Sequence, residues 1–448
     1  MKGVGMKHAG MKPAGIRQIA LLALLAAVPL GDCVAQATFR GDAARTGVYP
    51  GQGPRALKGV KWSFQTGDAV VSSAVYADGF VYFGSDDGNV YALDAQTGKQ
   101  RWKHATGGPV PSTPALAGGA LYVVSYDGKL YALNARTGER RWKFATAGER
   151  RFEAKGVHGF QPRTQTFPDP YDSYLSSPVV VGESVYFGSG DGRLYAVGTD
   201  DGKARWTFEA KDVIHASPAY ADGVLYVGSW DAHLYAVDAA TGKERWRFKT
   251  GEDALIHNQQ GFQGSAAVVD GVVYVGCRDS HLYAIDAKTG KEKWKFSTGL
   301  SWVITSPAVH DGKVYFATSD SSLWYVVDAA TGKELLQQKS KAYLWSSPAI
   351  AGDAVYQGVF NGTLEARDRR SGELLWAFQT EAAKQNRDWA LAADGSVNQS
   401  LVFRSGWREG PIVGQHKQLS VGAFLSSPLV VNGVVYAGST DGKLYALE

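Results

Sequence analysis

The chain has 448 residues, 44% of them hydrophobic, and sets 47 Lys and Arg against 43 Asp and Glu. Its 54 glycines and two cysteines point to a turn-rich protein that several disulfides cannot be holding together. A charge balance this close to zero does not favour a nucleic-acid backbone as partner, which requires a basic stripe or patch.

The first element is a leader. Lys2, Lys7, Lys12 and Arg17 precede IALLALLAAVPLG, and Ala35-Gln36-Ala37 supplies a small-residue cleavage site. This order predicts a secretory signal over 1–37 and a single domain over 38–448. The apolar run is too short to cross a bilayer as a helix, so no transmembrane segment is expected. Cleavage removes all three methionines, Cys33, Asp32 and the four basic residues, which leaves 43 basic against 42 acidic side chains. The mature protein is thus expected in the periplasm. Lipid anchoring through Cys33, whose Leu30-Gly31-Asp32-Cys33 context resembles a lipobox, and secretion are the alternatives. Cys277 is then the last cysteine, and no intrachain disulfide can form.

From residue 58 onward one unit recurs. Its consensus is S-S-P-A-V-x-x-D-G-V-V-Y-x-G-S-x-D-G-x-L-Y-A-L-D-A-x-T-G-K-x-x-W-x-F, with tryptophans at 62, 102, 142, 206, 246, 294 and 376 and Leu336 in one slot. A period near 40 residues marks a repeated supersecondary unit. Each unit holds four short strand signals, as in SPAYA, VLYVGS, HLYAVD and ERWRFKT of 217–250, separated by D-G and T-G turns. Repeated four-stranded meanders predict an all-β propeller. Each tryptophan buries about 150–250 Å², worth at most about 4–6 kcal/mol at roughly 25 cal/mol per Å². Its fixed place after T-G-K-x-x assigns it to packing between blades.

Seven units are complete. The last, over 425–448, stops after three strands, and the missing tryptophan strand, VKWSFQTG, lies at 60–67. The reading is an eight-bladed ring whose eighth blade is shared between about 58–67 and 425–448, which removes an open sheet edge. Blade 6 carries one residue too many near Leu323–Val327, which predicts a bulge there. Cys277 replaces the serine of G-S-x-D in blade 5 and reads as a small buried strand-end residue.

The A-x-D-x-x-T-G-K-x-x-W string resembles the PQQ-binding-like β-propeller repeat family. That resemblance covers 60–448 and implies the propeller fold. The repeat occurs both in quinoprotein alcohol dehydrogenases and in a propeller lipoprotein of the outer-membrane barrel-assembly machinery, so fold alone does not assign an activity.

Three blade-to-blade connections are enlarged, over 147–175, 252–263 and 381–421. In a four-stranded meander these connections and the S-x-D-G turns share one face, where long loops carry function. Arg150, Arg151, Glu153 and His158 of the first insertion, His257 and Asn258 of the second, and His215, Trp230, Arg278, Trp302 and Trp345 are expected to form a mouth there. Arg, His and Trp together suit an anionic planar ligand through charge-assisted bonds and stacking. No short His/Cys spacing supports a metal site.

For the resembling dehydrogenases, PQQ and a calcium ion are the implied cofactors. This chain lacks their adjacent cysteines, carries no C-x-x-C-H haem motif and offers no alignable calcium ligands. The leading expectation is a monomeric, non-catalytic binding or scaffold protein that takes an envelope protein or an anionic small molecule at its looped face. The alternatives are a PQQ-dependent dehydrogenase of alcohols or sugars and a polysaccharide-binding module.

Overall fold

Each repeat folds as its turn residues dictate. In blade 4, Ala219–Ala221, Val224–Gly228, His233–Asp238 and Glu244–Lys249 pair antiparallel in that order. Gly223 at the first turn and Gly242 at the last take φ of 79° and 72°, which only glycine adopts freely. The Asp238 carboxylate accepts the backbone N–H groups of Ala240 and Thr241 and the Thr241 hydroxyl. The computed structural model describes residues 1–5, 37–386, 389–398, 400 and 406–448. The leader's apolar run, Cys33 and Ala35-Gln36 lie outside the described residues.

Eight such sheets form the ring, seven of four strands and one, blade 7, of five, since Val48–Tyr49 adds parallel to Ala349–Ala351. Val60–Gln65 is the outermost strand of blade 8 and pairs antiparallel with Lys443–Leu447, Trp62 facing Ala446 and Phe64 facing Leu444. The two ends of the propeller are thus sewn into one sheet. No described helix is long and apolar enough to cross a membrane.

The tryptophans dock between blades. Trp62, Trp102, Trp206, Trp246 and Trp294 each donate from Nε1 across 3.0 Å to an alanine carbonyl in the following blade. Each also seats a T-G glycine: a Cβ on Gly242 would stand 2.7 Å from the Trp206 ring. At the seam between blades 7 and 8, Trp376 donates instead to the Pro54 carbonyl at 2.8 Å.

Around the axis the second Ser or Thr of S-S-P closes a circle of hydrogen bonds. The N–H of Ser73 donates to Thr113 Oγ1, and the pattern continues through Ser177, Ser217, Ser265, Ser306, Ser347 and Ser427 back to Ser73 Oγ. A cavity of about 40 Å³ remains inside it.

Residues 37–49 thread the ring. The carbonyls of Ala37, Ala43, Ala44, Thr46 and Gly47 accept N–H groups from the innermost strands of blades 2, 4, 5, 6 and 7. Arg40 and Arg45 are buried, and their guanidinium groups bond the carbonyls of Pro307 and Pro348, and of Ser177, Pro178 and Pro218.

The expected bulge of blade 6 is corrected. Leu323–Asp328 pairs with Lys313–Ala317 without a register shift. The shift against the outer strand, between Val326 and Val327, recurs at the same place in the other blades. The additional residue lies in the turn, where Thr318 N–H reaches the Leu323 carbonyl and Ser322 takes φ of 53°. A turn absorbs an insertion at less cost than a paired strand, which would have to flip its side chains.

Candidate ligand-binding mouth

One face of the disc carries the S-x-D turns and the connections. The backbone N–H of Tyr126, Trp230, Arg278, Ser319 and Phe360 donates to the connection residues Pro109, Val213, Gly261, Trp302 and Tyr343. The three insertions converge on this face. His158 of the first meets Asn258 of the second at 2.7 Å, and Lys341 beside blade 7 donates to Asp394 of the third.

The first insertion is anchored by two buried ionic groups. His215 stands between Asp172 (Nδ1 to Oδ1, 2.7 Å) and Glu149 (Nε2 to Oε1, 2.8 Å), all three side chains closed to solvent. Burial alone would lower the imidazole pKa; the Asp172 and Glu149 carboxylates outweigh it and raise it to about 10. The imidazolium therefore persists at neutral pH. In the second group Arg278 Nη1 donates to Asp169 Oδ2 at 2.8 Å, and His158 Nε2 lies 3.0 Å from the same oxygen. Burial opposes the ionised Asp169, but Arg278 and then His158 hold its carboxyl well below the usual carboxylate range.

The aromatic residues organise around Arg278. Its guanidinium carbon lies 3.7 Å from the Trp302 ring centroid and 4.8 Å from that of Trp230, and Phe152 stacks on Trp230 at 4.7 Å. Trp345 lies 4.8 Å from Phe360 and 6.0 Å from Tyr171, centroid to centroid.

His158, His215, Trp230, Asn258, Arg278, Trp302 and Trp345 are thus gathered by direct contacts or through the first insertion. The others sit at the edge. Arg150 is exposed and pairs with Asp212, Glu153 is exposed on a small hairpin, and His257 meets Gln260 at 3.3 Å. Arg151 lines a second cleft. Sequence reasoning missed Glu149, Asp169 and Asp172, although P-D-P-Y-D (168–172) carries two acids among prolines in a long insertion. It also missed Asp320. In the other blades that kept the turn length, such as blades 1 to 5, the turn aspartate accepts the hydroxyl of the L-Y-A tyrosine. The additional turn residue of blade 6 withdraws Asp320 from that role, and its carboxyl lines the mouth with a pKa raised by burial.

Two clefts open between these elements. One, of about 370 Å³, is walled by Tyr171, Trp302, Tyr343, Trp345 and Phe360, with Asp320 and Gln418 among its polar groups. The other, of about 700 Å³, lies between Asp68, Asp86, Tyr126, Arg151, Leu419 and Thr440. Burial, and then Asp68, raise the Asp86 pKa to about 7.

Among the described residues no group of three or more His, Cys, Asp or Glu side chains is placed to hold a metal ion. A calcium-bound anionic quinone does not fit the residues present. The central guanidinium and both central histidines are already matched by carboxylates of the first insertion, and a carboxyl faces the aromatic cleft. Cys277 is buried, and burial pushes its thiol pKa up, so it is no nucleophile here.

Comparison with known proteins agrees with this geometry. The family described as outer membrane protein assembly factor BamB matches residues 55–158, 165–262 and 256–448. The structure of BamB from Moraxella catarrhalis superposes with a TM-score of 0.64 at 17% identity, over 87% of this chain and 99% of that one. A europium-containing methanol dehydrogenase gives a TM-score of 0.69 at 14% identity, over 93% and 98%. At these identities the likeness concerns the fold. The quinohemoprotein alcohol dehydrogenase ADH IIB of Pseudomonas putida is 37% identical over 86 residues, which span 17% of this chain and 12% of that protein.

Proposed function

Because the chain belongs to the family of outer membrane protein assembly factor BamB, we propose that it is an exported, non-catalytic binding protein whose looped face docks a protein partner of the cell envelope. The observation that carries this reading is the apolar rim of that face. Leu255 in the second insertion and Leu300 in the neighbouring connection are 71% and 84% exposed, and Gln259 Nε2 ties the two segments through the Leu300 carbonyl. Trp389 in the third insertion is 46% exposed. Exposed apolar residues rimmed by polar groups mark protein interfaces. An anionic small molecule is less well served, since Arg278, His158 and His215 already face Asp169, Asp172 and Glu149.

A photo-crosslinking residue placed at 255 or 300 in cells tests the reading. It predicts discrete adducts with an envelope protein, and at least a five-fold loss of co-purification in Leu300→Asp. Titration with PQQ and Ca²⁺ is the counter-test. An immobilised quinone spectrum, with dye reduction by alcohols or sugars, would overturn the proposal in favour of a dehydrogenase.

A further inference from the structure

Resting on the reading of this face as a docking surface, we infer that the 370 Å³ cleft receives a proline-containing, extended segment of the partner protein. Trp302, Trp345 and Gln418 line the cleft and are 6%, 4% and 3% exposed. The indole N–H of each tryptophan and the amide Nε2 of Gln418 have no hydrogen-bond partner. A buried donor left unpaired costs about 1–3 kcal/mol, and three around one cavity require an explanation. Among the described residues, no lining side chain of this cleft leaves a buried acceptor unpaired.

The complementary ligand therefore brings acceptors without matching donors. It has apolar faces for the aromatic walls of Tyr171, Tyr343 and Phe360, and no negative charge to meet Asp320. Proline is the residue that offers a backbone carbonyl and no N–H. Proline-rich segments are pre-extended, lose little entropy on binding and dock into aromatic-lined grooves. A sugar brings many hydroxyl hydrogens, for which the cleft offers chiefly the Asp320 carboxyl, whereas the unpaired buried groups of its lining are all donors. The unpaired N–H groups are shut off from solvent, so the bonds form only with a small rotation of the rings, an induced fit.

The test is a fluorescence-anisotropy titration of the mature full chain with labelled acetyl-decaproline, beside a labelled ten-residue Gly-Ser peptide and unlabelled maltohexaose. Saturable binding of decaproline, at least ten-fold tighter than Gly-Ser, is expected. Trp302→Phe and Trp345→Phe keep a ring and delete the donor, and each is expected to weaken binding about three- to ten-fold in a variant that still unfolds in one cooperative thermal transition. Gln418→Leu does the same should a tryptophan variant not fold. The inference is overturned if decaproline shows no saturation up to millimolar concentration, if donor deletion leaves affinity unchanged, or if maltohexaose displaces the peptide. Failure here with intact envelope cross-links at Leu300 removes this inference alone and leaves the docking surface standing.

Discussion

Trp324 fills the slot that Leu336 leaves open in blade 6. In blades 1 to 5 and blade 8 a turn glycine of the following blade seats against the docking tryptophan, whereas a Cβ on Gly372 would meet Leu336 at 2.6 Å and Trp324 at 3.2 Å. Trp324 also takes over the tyrosine contact of the absent indole, 6.1 Å from Tyr315, where blade 4 has Trp246 5.8 Å from Tyr226. One ring has moved from the outer strand to its neighbour.

Restoring the consensus at one position should therefore do harm. Leu336→Trp is expected to lower stability by about 1–3 kcal/mol through overpacking, and adding Trp324→Leu to recover most of it. A double-mutant cycle by denaturant unfolding measures the coupling. Additive effects of the two changes would refute the exchange.

The axial segment makes a second prediction. Arg45 has backbone carbonyls of blades 3 and 4 as partners, and burial lowers its pKa to about 9. Arg45→Met leaves the carbonyls of Ser177, Pro178 and Pro218 unsatisfied and, at about 1–3 kcal/mol for each buried group left unpaired, should cost at least about 3 kcal/mol. Limited proteolysis would show it as faster cleavage within 37–54. Unchanged cleavage and unchanged Tm would mean that the belt is ornamental.

The ring, its closing blade and the face on which the insertions emerge could be read from sequence, because spacing and turn chemistry are local and repeat eight times. The belt could not. Residues 37–49 have no period, and their backbone bonds run to strands 79 to 303 residues away. The mouth was half legible: Arg278, His215 and the tryptophans stand out against a consensus. Glu149, Asp169 and Asp172 lie in an insertion with no counterpart to compare, so a mouth that reads as cationic is in fact neutralised. Blade 6 shows the same limit, since counting finds an additional residue but cannot tell turn from strand.

His215 gives a pH dependence whose sign is fixed by its partners. Its folded pKa, about 10, exceeds the ordinary value near 6.5. The stabilisation is complete below about pH 6.5 and is lost as pH rises toward 10. Thermal unfolding from pH 7 to 10 should show Tm falling in the wild type. His215→Gln should be less stable at pH 7 by about 3–5 kcal/mol, because two buried carboxylates lose their cation, and should lack that alkaline slope. A parallel decline in both proteins would assign the slope elsewhere.

Asp86 acts with the opposite sign. Burial and Asp68 raise its carboxyl from the ordinary carboxylate range to about 7, so the folded chain holds this proton more tightly than the unfolded one. Its contribution favours folding only at acid pH and is lost as pH rises from about 4 through 7. Asp86→Asn keeps the shape and removes the charge, so it should match the wild type at pH 4 and be more stable by about 1–3 kcal/mol at pH 8, discounted for partial exposure. Melting curves of the two proteins at both pH values decide it. A variant that is less stable at pH 8 would mean that the ionised carboxylate has a favourable partner in the second cleft, Arg151 being the cation nearest to hand among its lining residues.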